Sequence, residues 1–199
     1  MAAPYLASPP SNVTTLPDSS VIATLRVADH DIGDASRHGE LAKLSTPLTS
    51  ELMVELEWAQ LSLGLAADEI LFAALGRAIA RTIGEGVVAV DVAGDDREVP
   101  QSVYLTCATE AHYGFGQVAP HASPEIFFNY LGAVPEGQAV SEAPSPRHAL
   151  ELRVYRTGGQ LHLDWWYDTR RFYPSTVEEL TEQFPLALIE LTSDAVPPV

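Results

Sequence analysis

One stretch decides most of what this chain can become: Ala67–Arg97, reading ADEILFAALGRAIARTIGEGVVAVDVAGDDR. Asp68 and Glu69 stand where the positive end of a helix favours carboxylates. Ile70, Leu71, Ala74, Leu75, Ala78, Ile79 and Ile83 recur at helical spacing and make one apolar face. Gly84 suits the left-handed position that ends helices, and Arg77 and Arg81 lie toward the favourable C-terminal end. Gly86 restarts the chain as Val87–Val92, a β-branched run short enough to be a buried strand. A core helix therefore feeds a core strand, and the strand empties into a Gly-Asp-Asp-Arg loop. That loop is the first place to look for chemistry.

The rest of the chain supplies layers for this unit. Residues 1–19 hold four prolines among Ser, Thr and Asn and read as a flexible arm, leaving one domain over residues 20–195. Val21–Val27 alternates enough for a strand, Ala28–Gly39 is a turn-rich loop, and Glu40–Ser45 suits a short strand. Thr46-Pro47 and Thr49 open a helix over Ser50–Leu61, with Leu52, Met53, Leu56 and Leu61 inward and Gly64 as its stop. Strands are expected at Ser102–Ala108 and Glu125–Leu131, with Pro135–Arg147 as a linker-like piece. Ala149–Tyr155 and Leu161–Tyr167 flank Gly158-Gly159, a good hairpin turn. Ser175 caps a last helix with Glu178 three residues on, its inner face being Val177, Leu180, Phe184, Leu188 and Leu191. Helices and strands mix without strict alternation, so the expected class is α+β, a mixed, mostly antiparallel sheet packed with helices.

Charge and composition narrow the function. The net charge of −16 repels phosphate backbones and anionic lipid, which argues against nucleic-acid and membrane partners. The single Cys107 cannot form an internal disulfide and reads as a small core residue. No apolar run or charged leader suggests a membrane span or export signal, so a soluble cytoplasmic protein is expected. The six histidines show no zinc spacing, and Asp91, Asp95 and Asp96 lack the spacing of a calcium loop, so no metal is expected. Gly114 and Gly116 are too close together for a phosphate loop, so no cofactor is expected either. His112 and His121 flank that segment and are the pair to test for acid/base work, with Tyr113 beside them. Asn129, inside an apolar strand, needs a hydrogen-bond partner. Trp165, Trp166 and Tyr167 are consecutive and cannot all face one side of a strand.

Taken together, several segments resemble a known family. Asp68–Gly76 (DEILFAALG) is similar to the Asp-x-Leu-Leu-x-Ala-x-Gly helix motif of epimerization domains from nonribosomal peptide synthetases. Ala93–Glu98 (AGDDRE) resembles their Glu-Gly-His-Gly-Arg-Glu loop, Ala111–Gly116 (AHYGFG) partly matches their Gly-x-Gly-Tyr-Gly motif, and Phe128–Gly132 matches Phe-Asn-Tyr-Leu-Gly. The final hairpin and helix are similar to the family's C-terminal end. The resemblance implies the C-terminal one of two acetyltransferase-like halves that face each other across a tunnel, here truncated and freestanding. It also implies what is missing. The paired-histidine motif of the N-terminal half is absent, Ala93 stands where the loop's first carboxylate belongs, and the segment between Glu98 and Gly114 is shortened. Epimerization needs one group to take the α-proton and another to return it, and neither inherited group is present. The expectation is a protein of nonribosomal peptide, hence secondary-metabolite, biosynthesis that has lost the family activity and works through a pathway protein or a second copy of itself. An acidic carrier protein could use Arg170 and Arg171. The alternative is a repurposed enzyme binding a pathway intermediate on the old tunnel face, with Asp95, Asp96, Arg97 and Asn129 as substrate-binding candidates.

Overall fold

Thr49 shows how local chemistry sets the element boundaries: its side chain accepts from the amide of Leu52 and opens the first helix, which Gly64 closes in the left-handed conformation. The computed structural model describes residues 24–31, 40–94, 97–110, 112–117, 123–138, 140 and 147–195. In chain order its elements are β1 (Leu41–Pro47), α1 (Ser50–Leu63), α2 (Ala67–Thr82), β2 (Gly86–Gly94), β3 (Arg97–Cys107), β4 (Ile126–Ala133), β5 (Leu150–Thr157), β6 (Gln160–Asp168) and α3 (Pro174–Asp194). The strands form one six-stranded sheet in the order β1-β6-β5-β4-β2-β3. The pairs β1–β6, β5–β6 and β2–β3 are antiparallel, whereas β4 runs parallel to both β2 and β5. The fold is therefore the expected α+β arrangement, with the helices packed on one face.

The central helix is the keystone of that layer. Every residue from Ile70 to Ala80 on α2 is buried, between α3 on one side and β3 on the other. Gly76 allows the close approach. A methyl group there would lie 2.5 Å from the carbonyl oxygen of Thr106 and 2.9 Å from Cδ1 of Leu105. The helix starts with the Glu69 carboxylate accepting from the amide of Ala66, 2.9 Å away. At the β5–β6 hairpin, Gly158 and Gly159 both take positive φ, 57° and 80°, as a tight two-residue turn requires.

The structure departs from three sequence expectations. Leu61 does not face the core; it lies on the outer side of α1 and is 77% exposed. Ser175 does not cap α3. The helix begins at Pro174, whose missing N–H suits the first turn. This end is held from outside instead: Asp29 accepts from the free Tyr173 amide at 2.8 Å and from the side-chain hydroxyl of Thr176 at 3.2 Å. Within Val21–Val27, the described residues make a single bridge, Thr24 to Val87, not a full strand. The proposed arm over residues 1–19 lies outside the described residues.

Candidate functional site on the second face of the sheet

Strand side chains alternate, so the register that points Val90, Ile126, Leu152 and Trp165 at the helices points another set the opposite way. Strand pairing lines these up in rows. One row crosses all six strands: Ser102, Asp91, Phe127, Glu151, Trp166 and Lys43. The next contains Ala93, Asn129, Arg153, Asp164 and Ser45. Val140, from the connection between β4 and β5, lies at this face, where its carbonyl accepts from Arg153 Nη1 at 3.2 Å.

Four carboxylates on this face, Asp91, Glu151, Asp164 and Asp168, are buried. A buried charge is tolerated only with partners, and each has them. Arg153 Nε donates to Glu151. Lys43 Nζ lies 2.7 Å from Asp164, which also accepts from Ser45 at 2.7 Å and Tyr155 at 3.3 Å. Asp168 accepts from the amide, Nε and Nη2 of Arg170. Burial pushes the Tyr155 phenol up, and the charge of Asp164 adds to the shift. Lys43 also stands 5.3 Å over the ring of Trp166, so this tryptophan is the one of the three consecutive aromatics that turns from the core.

The most chemically able group is Asp91 with His148. Asp91 accepts from the Ser102 hydroxyl and sits 2.8 Å from His148 Nε2. The imidazole stacks on Phe127 with ring centres 5.1 Å apart. Burial raises the Asp91 carboxyl, but hydrogen bonds from Ser102 and His148, with the charges of His148 and Arg147, outweigh it and leave the group below the ordinary value of 3.8. An aspartate that holds one imidazole nitrogen fixes the ring and leaves the other, Nδ1, as the atom for proton exchange. One row along, Ala89 and Tyr104 line a cavity of about 350 Å³ that Arg26 and Glu125 also border.

The sequence candidates fall in different places. Asn129 lies on this face beside Ala93, its register partner. The backbone of Arg97 begins β3 as the register partner of Gly94, the last residue of β2. Asp95, Asp96 and His121 lie outside the described residues. His112 is exposed, its Nδ1 3.2 Å from the carbonyl of Glu110. Tyr113 belongs to the helix layer, donating to the Leu191 carbonyl of α3 at 3.1 Å, and burial followed by the charge of Asp194 raises its phenol. Arg171 donates to Glu125 at 2.9 Å, so it and Arg170 are both engaged with carboxylates of the chain itself. His148 escapes sequence reasoning because it sits at the end of the linker-like segment. Its one signal is Asp91, a carboxylate inside an apolar strand and therefore in need of a donor. Among the described residues no three His, Cys, Asp or Glu side chains are grouped to hold a metal, and no helix is long and apolar enough to cross a membrane.

A sheet of this order with three helices on one face is the fold of about half of an epimerization or condensation domain. The epimerization domain from the third module of tyrocidine synthetase B superposes with a TM-score of 0.68 at 14% identity, over 88% of this chain and 53% of that one. A structure of condensation domain-mediated chain release from the enacyloxin polyketide synthase gives 0.60 at 15% identity, over 81% and 42%. In sequence, the chain is 35% identical over 90% of its length to one of the subunits of the phenolphthiocerol/phthiocerol polyketide synthase of Mycobacterium tuberculosis. It spans only 16% of that protein. The alignment runs over 244 residues, more than the 199 of this chain, so part of the relative's matching region has no counterpart here. No family model matches the chain.

Proposed function

We propose that the chain serves secondary-metabolite assembly, of the polyketide or nonribosomal peptide kind, as a condensation/epimerization-type half-domain that has lost acid/base turnover and acts by binding a protein of its pathway. The observation that carries the assignment is the 35% identity, across 90% of the chain, to a polyketide synthase component. The loss of turnover is argued from Ala93. The resemblance puts a carboxylate at this position, and here a methyl group stands beside Asn129. The partner is a pathway protein in preference to an acidic carrier, because Arg170 and Arg171 already hold Asp168 and Glu125. The direct test is to incubate the purified protein with aminoacyl and acyl pantetheine thioesters in deuterated water and follow α-proton exchange by mass spectrometry. No exchange above the buffer rate is expected, while co-expression with the synthase proteins should yield a stable complex. Exchange by the chain alone would refute the loss of chemistry.

A second reading has one specific observation in its favour: the Asp91–His148 pair beside the cavity bordered by Tyr104 and Arg26. In this reading a pathway intermediate lies in the cavity and His148 moves a proton. Thioester exchange that His148→Ala abolishes and Ala93→Gly leaves alone would favour it over the first.

A further inference from the structure

Helix α1 has two apolar faces, and only one of them is used. Leu52, Met53, Leu56 and Ala59 are buried against the rest of the protein. Val54, Trp58 and Leu61 recur at i, i+4 and i+7, which places them within an arc of about 60° on the opposite side. They are 52%, 63% and 77% exposed. Other large apolar side chains are exposed too, Val99 and Tyr173 among them, but here a tryptophan and two aliphatic side chains share one helix face, and contiguous patches of this kind mark contact sites. Tryptophan is also among the side chains enriched at the energetic centres of interfaces.

The charges beside this stripe say what fits it. Helical geometry puts Glu51 and Glu55 along one edge and Glu57 along the other, and residues 50–63 contain no Lys or Arg. Glu51 is held ionised at the helix start, its carboxyl lowered by a backbone hydrogen bond and then by the Thr49 and Ser50 hydroxyls. Glu57 pairs with Arg156 at 3.1 Å, but both groups remain largely in solvent, where such a pair exchanges readily. A second copy would bring the same three glutamates against these and add its own net charge of −16. An acidic partner meets the same repulsion.

We propose that α1 is a docking face for a basic amphipathic helix of a partner protein. The partner's aliphatic side chains lie across Val54, Trp58 and Leu61, and its Lys or Arg side chains reach Glu51, Glu55 and Glu57, the helix-against-apolar-stripe mode of recognition. This rests on the interaction reading above and names the surface and the chemistry it takes.

The probe is a synthetic amphipathic Leu/Lys helix, compared with a Leu/Glu helix of the same apolar pattern and a scrambled Leu/Lys peptide of the same charge. Binding is read by calorimetry and by tryptophan emission. The Leu/Lys helix should bind and shift emission to the blue, and the other two peptides should not. Trp58→Ala and Leu61→Ser should each weaken binding about tenfold with the melting temperature unchanged. Joint Glu51→Gln and Glu57→Gln substitution should flatten the salt dependence. Equal binding of the scrambled peptide, or binding that Trp58→Ala leaves intact, overturns the proposal. So does a concentration-dependent dimer abolished by Trp58→Ala, which would seat a second copy on the face. A synthase complex that forms equally with Trp58→Ala overturns this surface while leaving the pathway role standing.

Discussion

Asp91 sits in the middle of an apolar strand, and its surroundings explain why it is tolerated there. Its side chain turns from the helices and finds Ser102 and His148. The need for a donor was legible in the run Val87–Val92; the identity of the donor was not, because His148 arrives from far along the chain. The depressed carboxyl makes a signed prediction. A group whose folded value lies below its unfolded one contributes stability that is full above the unfolded value and lost as pH falls through the folded one. Asp91, and likewise Asp168, which burial raises but Arg170 and Arg171 lower further, should therefore stabilise the fold above their ordinary value of 3.8 and cease to do so below it. Asp91→Asn should flatten the fall in stability across that acid window in denaturant titrations. An unchanged slope would mean that the pair forms equally in the unfolded chain. Cys107 behaves as read: burial pushes its thiol up to about 12, which suits a packing residue better than a nucleophile.

At the scale of elements, the helix that organises the chain was the most legible part, because its apolar residues keep a helical period and its neighbours punctuate it. Leu71 is wholly buried on α2, so Leu71→Ala should cost about 2–5 kcal/mol by urea denaturation; a loss under about 1 kcal/mol would mean the site collapses without a cavity. Gly76 is the sharper test. In an open helix, Gly→Ala gains up to about 1 kcal/mol. Here the added methyl would enter a 2.5 Å gap to the carbonyl of Thr106, a backbone atom that cannot swing aside. Overpacking of this kind costs about 1–3 kcal/mol, so Gly76→Ala should destabilise the protein against its propensity. A stabilised variant would show that α2 and β3 can separate. What the sequence hid at this scale has a common cause. Leu61 is apolar yet exposed, and the start of α3 is held by Asp29, a residue more than a hundred positions earlier. Periodicity along one element cannot see a partner supplied by another, nor an apolar face kept for a second protein.

The whole molecule divides into an apolar half and a charged half. Helices and the facing strand residues form the core, whereas the second face is a layer of carboxylates matched one by one to Lys43, His148, Arg153 and Arg170. Alternation along the strands foretold that two faces would differ. Strand order, which decides which charges meet, depended on long-range pairing that no local pattern encodes. This division separates two electrostatic effects that salt treats differently. Buried pairs are screened little, while repulsion among exposed carboxylates extends over about 10 Å at 0.1 M salt. With Asp+Glu 27 against Lys+Arg 11 and much of the basic complement already committed to ion pairs, the exposed remainder is strongly negative. Its self-repulsion opposes the compact state. Raising sodium chloride from about 20 to about 300 mM at neutral pH should therefore raise the melting temperature, by about 2–4 °C if roughly 1 kcal/mol of repulsion is relieved in a chain of this size. Calorimetry at several salt concentrations reads it directly. A melting temperature that falls with salt would mean that the ion pairs contribute more through exposed contacts than the surplus carboxylates take away.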